Sequence, residues 1–295
     1  MPMIIVFAIV GGLAQFVDGS LGMGFGVTSA TLLTLLGYSA VAASAGTHAA
    51  KMGTTFVSGL AHWREGNVDW RVLLALAVPG TIGAFTGAVI LTNVSMDGAR
   101  IWMASILLIL GISIIMRFAF GKTLIPRMKV RTRNLWPIGL FGGFVDATGG
   151  GGWGPVATPS MMTVTSHEPK KVVGTVNAAE FAVAVAASMG FIVGAKESQV
   201  PWGAVAGLII GGMLVAPFAA RFAGRAPVHS LGTLVGGMVL ISNLAVIFKL
   251  TGVPGAVGGV VVAIIAVLTM ALAWRVHKMD VKPGEKPPVE ESVSA

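Results

Sequence analysis

Two stretches decide the reading: Phe16-Val17-Asp18-Gly19-Ser20-Leu21-Gly22-Met23-Gly24-Phe25-Gly26 and Phe144-Val145-Asp146-Ala147-Thr148-Gly149-Gly150-Gly151-Gly152-Trp153-Gly154. They align without a gap at an offset of 128 residues (146 − 18). Gly46-Thr47 recurs as Gly174-Thr175 at the same offset, and Val68, Trp70 and Gly80 recur as Val200, Trp202 and Gly212 at an offset of 132. A four-residue insertion between the blocks accounts for the change (132 − 128). A period this long marks two duplicated bundles, not a short-repeat solenoid.

Around these stretches the chain is apolar. Of 295 residues, 55% are hydrophobic and 11% charged, and the mean hydropathy is +0.84. Soluble domains carry about 25% charged residues, so this chain lacks the means to face water and is read as embedded in lipid. Forty-one glycines suit close helix packing and breaks inside membrane segments. There is no cysteine, which excludes disulfides and thiolate metal sites, and the five histidines lack ligand spacing. No metal and no cofactor are expected.

Apolar runs predict spanning helices at about 40–62, 71–92, 99–118, 169–194, 201–222, 228–248 and 254–274, each near the ~20 residues a bilayer core needs. Each half opens differently. Residues 3–17 are apolar, 18–26 rich in Asp and Gly, and 27–37 apolar again; 136–145, 146–154 and 155–165 repeat the pattern. An 11-residue piece rises only about 16 Å, so these pieces read as half-helices meeting at a Gly-rich turn. A single kinked helix is the alternative. The fold class expected is all-α and integral to the membrane. It has two inverted-topology repeats, each a broken or re-entrant pair followed by three transmembrane helices, plus one extra C-terminal helix.

The boundaries follow: a first repeat over 3–120, a basic linker over 121–134, a second repeat over 135–250, the extra helix over 254–274 and a disordered tail over 281–295. The linker region carries Arg117, Lys122, Arg127, Lys129, Arg131 and Arg133 with no acid between them. A nucleic-acid patch needs a folded domain to present it; a cytoplasmic loop does not. Placing this loop and the tail inside puts Arg64, Arg71, Lys170, Lys171, Arg221 and Arg225 inside too. Loops 93–98, 195–199 and 249–253 then fall outside. The localisation expected is a multi-pass inner-membrane protein with its N-terminus outside and C-terminus in the cytoplasm. Met1–Ala14 lacks a basic n-region and reads as mature sequence.

The Gly-rich turns are the first candidates for a site. Gly149–Gly154 matches G-x-G-x-x-G in letters, but no strand or acidic ribose ligand accompanies it. No phosphate loop occurs anywhere. In a membrane, a broken helix exposes unpaired N–H groups and a positive dipole end that attract anions. Transporters of inverted-repeat design bind substrate at such breaks near the midplane. The candidates are Asp18, Ser20, Gly22, Gly24 and Gly26 in the first half, and Asp146, Thr148, Gly150, Gly151, Gly152 and Gly154 in the second. The other reading is that the glycines serve packing alone.

The helix after each break adds Thr47, His48 and Lys51 on one side and Thr175, Asn177 and Glu180 on the other. Thr47, Lys51, Thr54 and Ser58 form one polar stripe. Charges in mid-span are costly and mark function by default. Lys51 is a counter-charge for an anion, or a salt-bridge partner of Asp18, Asp146 or Glu180, or both. Those three acids are candidate proton carriers. Arg100, Arg117 and Lys249 lie at segment ends and are expected to snorkel. A rival from another class is an intramembrane hydrolase with Ser20 and His48 as nucleophile and base. The repeat equivalents, Thr148 and Val176, offer no second base. An anion channel is the third reading.

The two Gly-rich openings, each followed some 20 residues later by Gly-Thr, resemble the TauE/SafE sulfite-exporter family. The Gly66-Asn67-Val68-Asp69-Trp70 run adds to the likeness, which covers most of 5–250. The resemblance implies transport of sulfite, sulfonates and related organosulfur anions, with export the expected direction. By position it carries over Gly22, Gly24, Gly26, Gly46 and Thr47, then Gly150, Gly151, Gly152, Pro159, Gly174 and Thr175. Met23 and Phe25 interrupt the first Gly run, and Thr31 stands where the second block has Pro159. The partners expected are a small anion and the lipid bilayer, with a homodimer left open and no nucleic acid.

Overall fold

The computed structural model describes residues 2–121, 135–165, 167–194, 200–223 and 228–281. The basic stretch at 122–134, Arg225 and the tail beyond 281 lie outside the described residues. Among the described residues the chain is all-helical. The first half comprises α1 (Pro2–Leu21), α2 (Phe25–Leu35), α3 (Ala40–Arg64), α4 (Trp70–Thr92) and α5 (Met96–Phe120). The second comprises α6 (Trp136–Gly149), α7 (Trp153–Val164), α8 (Pro169–Gly194), α9 (Trp202–Phe222) and α10 (Val228–Leu250), and α11 (Gly255–Val281) follows. Seven helices are long and apolar enough to cross a membrane: α1, α4, α5, α8, α9, α10 and α11.

Six of the seven spans coincide with the sequence reading. The seventh differs. Helix α1 continues through Asp18, Gly19 and Ser20 to Leu21, so it reaches spanning length where the sequence suggested a half-helix. The helix persists because Gly22 N–H still donates to Asp18 O at 2.6 Å, and the turn comes only there. The breaks are therefore 22–24 and 150–152, shorter than the 18–26 and 146–154 expected, and both aspartates lie in the last turn of a helix. Helix α3 has the length to span, but His48, Lys51, His62 and five buried hydroxyl residues lower its hydropathy.

Packing exchanges elements between halves. Helix α1 lies along α9, and its repeat mate α6 lies along α4. The contacts correspond residue by residue. A Cβ on Gly11 would sit 2.6 Å from Leu208 O, and one on Gly139, its mate 128 residues on, would fall on Leu76 O, the mate of Leu208. Small residues let these backbones touch, the usual means of helix association in lipid.

The ends of the helices sort into two groups. Gly207 in the first turns of α9 faces Ile4 of α1, and Gly46 in α3 faces both Pro201 and Leu33 of α2. The start of α1 and the end of α2 thus lie at the end where α9 begins. At the other end of α3, Asn67 backs onto Gly174 near the start of α8. Asp69 accepts from His167 Nε2 at 2.9 Å, and Gly139 near the start of α6 meets Leu76 near the start of α4. The start of α6 and the end of α7 lie at this second end.

Candidate functional site

The two breaks have the same backbone. Gly22 and Gly150, repeat mates, both take left-handed conformations, with φ of 74° and 77°. A side chain there would be strained. Seven residues after each aspartate, the first N–H of the short helix turns back to its carboxylate. Phe25 N–H donates to Asp18 Oδ1 at 3.3 Å, and Trp153 N–H donates to Asp146 Oδ1 at 3.0 Å. Each carboxylate thus meets an orphan N–H and the positive end of a helix, as an N-cap does.

The breaks touch. A Cβ on Gly26 would lie 2.6 Å from Gly151 Cα, and one on Gly154 would lie 2.7 Å from Met23 Cα. Gly26 and Gly154 are repeat mates, as are Met23 and Gly151, so one contact is made twice. Thr158 Oγ1 locks the crossing by donating to Gly22 O at 2.6 Å.

Lys51 of α3 reaches this crossing. Its Nζ lies 3.3 Å from where a Cβ on Gly26 would be. It donates to Asp146 Oδ1 and Oδ2 at 2.8 and 2.9 Å and pairs with Glu180 Oε1 at 2.6 Å. His48, one turn earlier on α3, places Nε2 3.1 Å from Asp146 Oδ2 and Nδ1 2.8 Å from Ser44 O. Nδ1 also lies 3.4 Å from Ser44 Oγ. All of these side chains are buried. Lys51 and His48 both meet Asp146, and Lys51 alone meets Glu180.

The three carboxylates differ in how fully they are met. Asp146 receives bonds from Trp153, Lys51 and His48. Glu180 has Lys51. Asp18 has Phe25 on one oxygen, while Oδ2 is buried with no partner. Of the sequence candidates, Asp18, His48, Lys51, Asp146, Asn177 and Glu180 converge on the breaks. Asn177 donates to Asp18 O at 3.2 Å and accepts from Ser58 Oγ at 3.0 Å.

Others do different work. Thr175 accepts from Asp69 N–H at 2.9 Å and secures the loop before α4. Thr148 Oγ1 donates to Phe144 O within its own helix at 2.8 Å. Gly24 and Gly152 stand at the N-caps of α2 and α7. Ser20 and Thr47 keep buried hydroxyls with no partner. His48 is engaged by Ser44 and Asp146, and no bond joins it to Ser20, so the nucleophile–base pair does not form.

Gln15, whose buried amide has no partner one turn before Asp18, and Thr158 were not among the sequence candidates. An amide within an apolar run was the available signal for Gln15. A cavity of about 540 Å³ lies between α5, α6 and α7 with apolar walls, and another of about 450 Å³ lies where α2 and α10 finish. Neither is lined by Lys51, Asp146 or Glu180.

The family described as Sulfite exporter TauE/SafE matches residues 7–246. The chain belongs to that family. It is similar to the probable membrane transporter protein YtnM of Bacillus subtilis (strain 168), with 42% identity over 246 residues covering 82% of each chain. It also resembles the probable membrane transporter protein YdhB of the same organism, at 26% identity over 84% of this chain and 100% of that one. A probable membrane transporter protein of Xylella fastidiosa (strain Temecula1 / ATCC 700964) is 26% identical over 81% of this chain and 93% of its own length. No solved structure matches. The family and these relatives identify a multi-pass membrane transporter, not an enzyme.

Proposed function

We propose that this TauE/SafE member carries small organosulfur anions, sulfite or sulfonates, out of the cell through a site at the crossing of the two breaks. The observation that carries the reading is Lys51, a buried cation held where two broken helices meet. A mid-membrane lysine costs enough to demand a use, and a neutralised oxyanion suits it. Asp146 and Glu180 then act as tethered stand-ins that satisfy Lys51 until the anion arrives.

The same reading treats the chain as two inverted repeats entering from opposite faces, with boundaries as in the sequence. The exchanged packing and the two groups of helix ends support it. Arg64, Arg71, Lys170, Lys171 and Arg221 all fall at the end where α4 begins, which the positive-inside rule assigns to the cytoplasm. The N-terminus is then outside.

Anion binding is coupled to a proton in this scheme. A proton on Glu180 withdraws one of the two carboxylates from Lys51 and makes room for an anion. Asp18, with an unmet buried oxygen, is the second carrier. Asp146 is left out because donors already occupy both its oxygens. The test is counterflow of a sulfonate, which unlike sulfite keeps one charge state across the neutral range, in proteoliposomes at several pH values. The wild type should bind more tightly as pH falls. Glu180→Gln or Asp18→Asn, fixed mimics of the protonated acid, should flatten that dependence. Saturable counterflow separates a carrier from a channel. Unchanged pH dependence in both variants would discard the coupling; absence of anion counterflow would discard the substrate class.

A further inference from the structure

A second cavity, of about 450 Å³, lies at the end where α2 and α10 finish and α5 begins. Its walls include Thr34, Gly37, Tyr38, Arg100, Val246 and Lys249. Arg100 comes from the first turns of α5 and Lys249 from the last turn of α10, helices from different halves. Neither pairs with a carboxylate among the described residues. The nearest acid in sequence, Asp97, is exposed in the first turn of α5 and makes no ion pair with Arg100. The two charges share one concave pocket with a phenol.

Helix α2 connects this pocket to the crossing. Thr34 lies eight residues beyond Gly26, about 12 Å along the helix. Between them, Ala30 stands against Gly150, and Thr31 Oγ1 accepts from Asn243 Nδ2 at 3.1 Å, leaving Asn243 Oδ1 buried without a partner. Two free cations at the mouth and one lysine at the base thus share a single helix as wall.

We infer that Arg100, Lys249 and Tyr38 form a separate binding site for a singly or doubly charged oxyanion, the station at this face that ligand leaving Lys51 would meet. The link to Lys51 rests on the transport reading above; the site itself does not. Cations at a concave mouth raise the local concentration of anions and their association rate. The same chemistry fits a free sulfonate or the phosphate of a lipid headgroup.

Because the chain has no cysteine, Thr34→Cys supplies a lone thiol in the pocket. Its labelling rates with a negatively and a positively charged methanethiosulfonate reagent are compared with those of a free thiol. The protein is purified in detergent. We expect the anionic reagent to be favoured by roughly tenfold or more, and Arg100→Gln with Lys249→Gln to return the ratio to that of the free thiol.

Protection by methanesulfonate without anionic lipid identifies a free-anion site. Protection by phosphatidylglycerol alone identifies a headgroup site. A ratio equal to the free thiol's, or no protection by either, overturns the proposal. Val246→Cys repeats the measurement if Thr34→Cys fails to fold. Labelling needs no turnover, so failure of transport leaves this result standing, and a neutral pocket leaves transport untouched.

Discussion

Replacing Lys51 by Met keeps much of the apolar stem and removes the ammonium that holds two carboxylates. The structure predicts which partner suffers. Asp146 retains Trp153 N–H and His48 Nε2 at 3.0 and 3.1 Å. Glu180 loses its contact at 2.6 Å. Breaking a buried pair by removing one member costs about 3–5 kcal/mol, because the other charge is left uncompensated. At about 2–4 °C per kcal/mol for chains of 150–250 residues, the unfolding midpoint should fall by on the order of 10 °C. Thermal unfolding in detergent, followed through the intrinsic fluorescence of seven tryptophans, reads this directly. Adding Glu180→Gln should recover most of the loss, with a coupling of about 1–3 kcal/mol in the double-mutant cycle. Adding Asp146→Asn should recover less, since it also weakens the acceptor for Trp153 and His48. Adding Asp18→Asn should recover less than Glu180→Gln, since no ion pair joins Asp18 to Lys51 among the described residues. An unchanged midpoint in Lys51→Met, or equal rescue by Asp18→Asn and Glu180→Gln, would refute the geometry. If the stabilised double variant also binds a sulfonate with wild-type affinity, the counter-charge role of Lys51 falls.

Two further outcomes are expected. Asp69 caps α4 by accepting from Arg71 and Val72 N–H at 3.0 and 3.2 Å, and the hydrogen bond from His167 holds its carboxyl below the usual range. A lowered carboxyl contributes stability above its unfolded value, and that contribution is lost as pH falls below about 4. Asp69→Ala should cost about 1 kcal/mol at neutral pH, with a difference from wild type that shrinks in acid; a constant difference would count against the cap. Impermeant thiol reagent added outside cells should label Ser95→Cys and spare Glu168→Cys, both exposed; the reverse pattern would invert the topology.

Much of the fold was legible because duplication is an ungapped signal and apolar runs are long. The length of α1 was not. Asp18, Gly19 and Ser20 are ordinary turn residues in sequence, yet the Asp18 carboxylate finds its donor across the break in Phe25 and leaves the helix free to continue. The choice of partner for Lys51 was open for a similar reason. Asp18, Asp146 and Glu180 sit on three different helices, and only their crossing decides which two reach Nζ. The glycines are also less separable from packing than their spacing suggests. A Cβ on Gly152 would meet Val145 Cγ1 at 2.5 Å and Asp146 N at 2.9 Å, so enlarging it tests the fold before it tests a ligand.

The duplicated frame is symmetric where it sets shape and asymmetric where it carries charge. Gly22 and Gly150 bend alike, Asp18 and Asp146 cap alike, and the breaks touch through mated pairs. Lys51 has Ala179 as its mate, Glu180 has Met52, and His48 has Val176. The basic side chains of the crossing therefore come only from the first half, and the extra carboxylate only from the second. Two packed halves that rock against each other would change the distances from Lys51 on α3 to Glu180 on α8 and Asp146 on α6, while each aspartate stayed fixed to its own break. In the transport scheme proposed above, the inter-half pairs of Lys51 with Glu180 and Asp146 are the contacts that a proton and an anion would contest. In that scheme the symmetric frame would supply two access routes, and the asymmetric pairs would decide what must be bound before the site turns from one to the other.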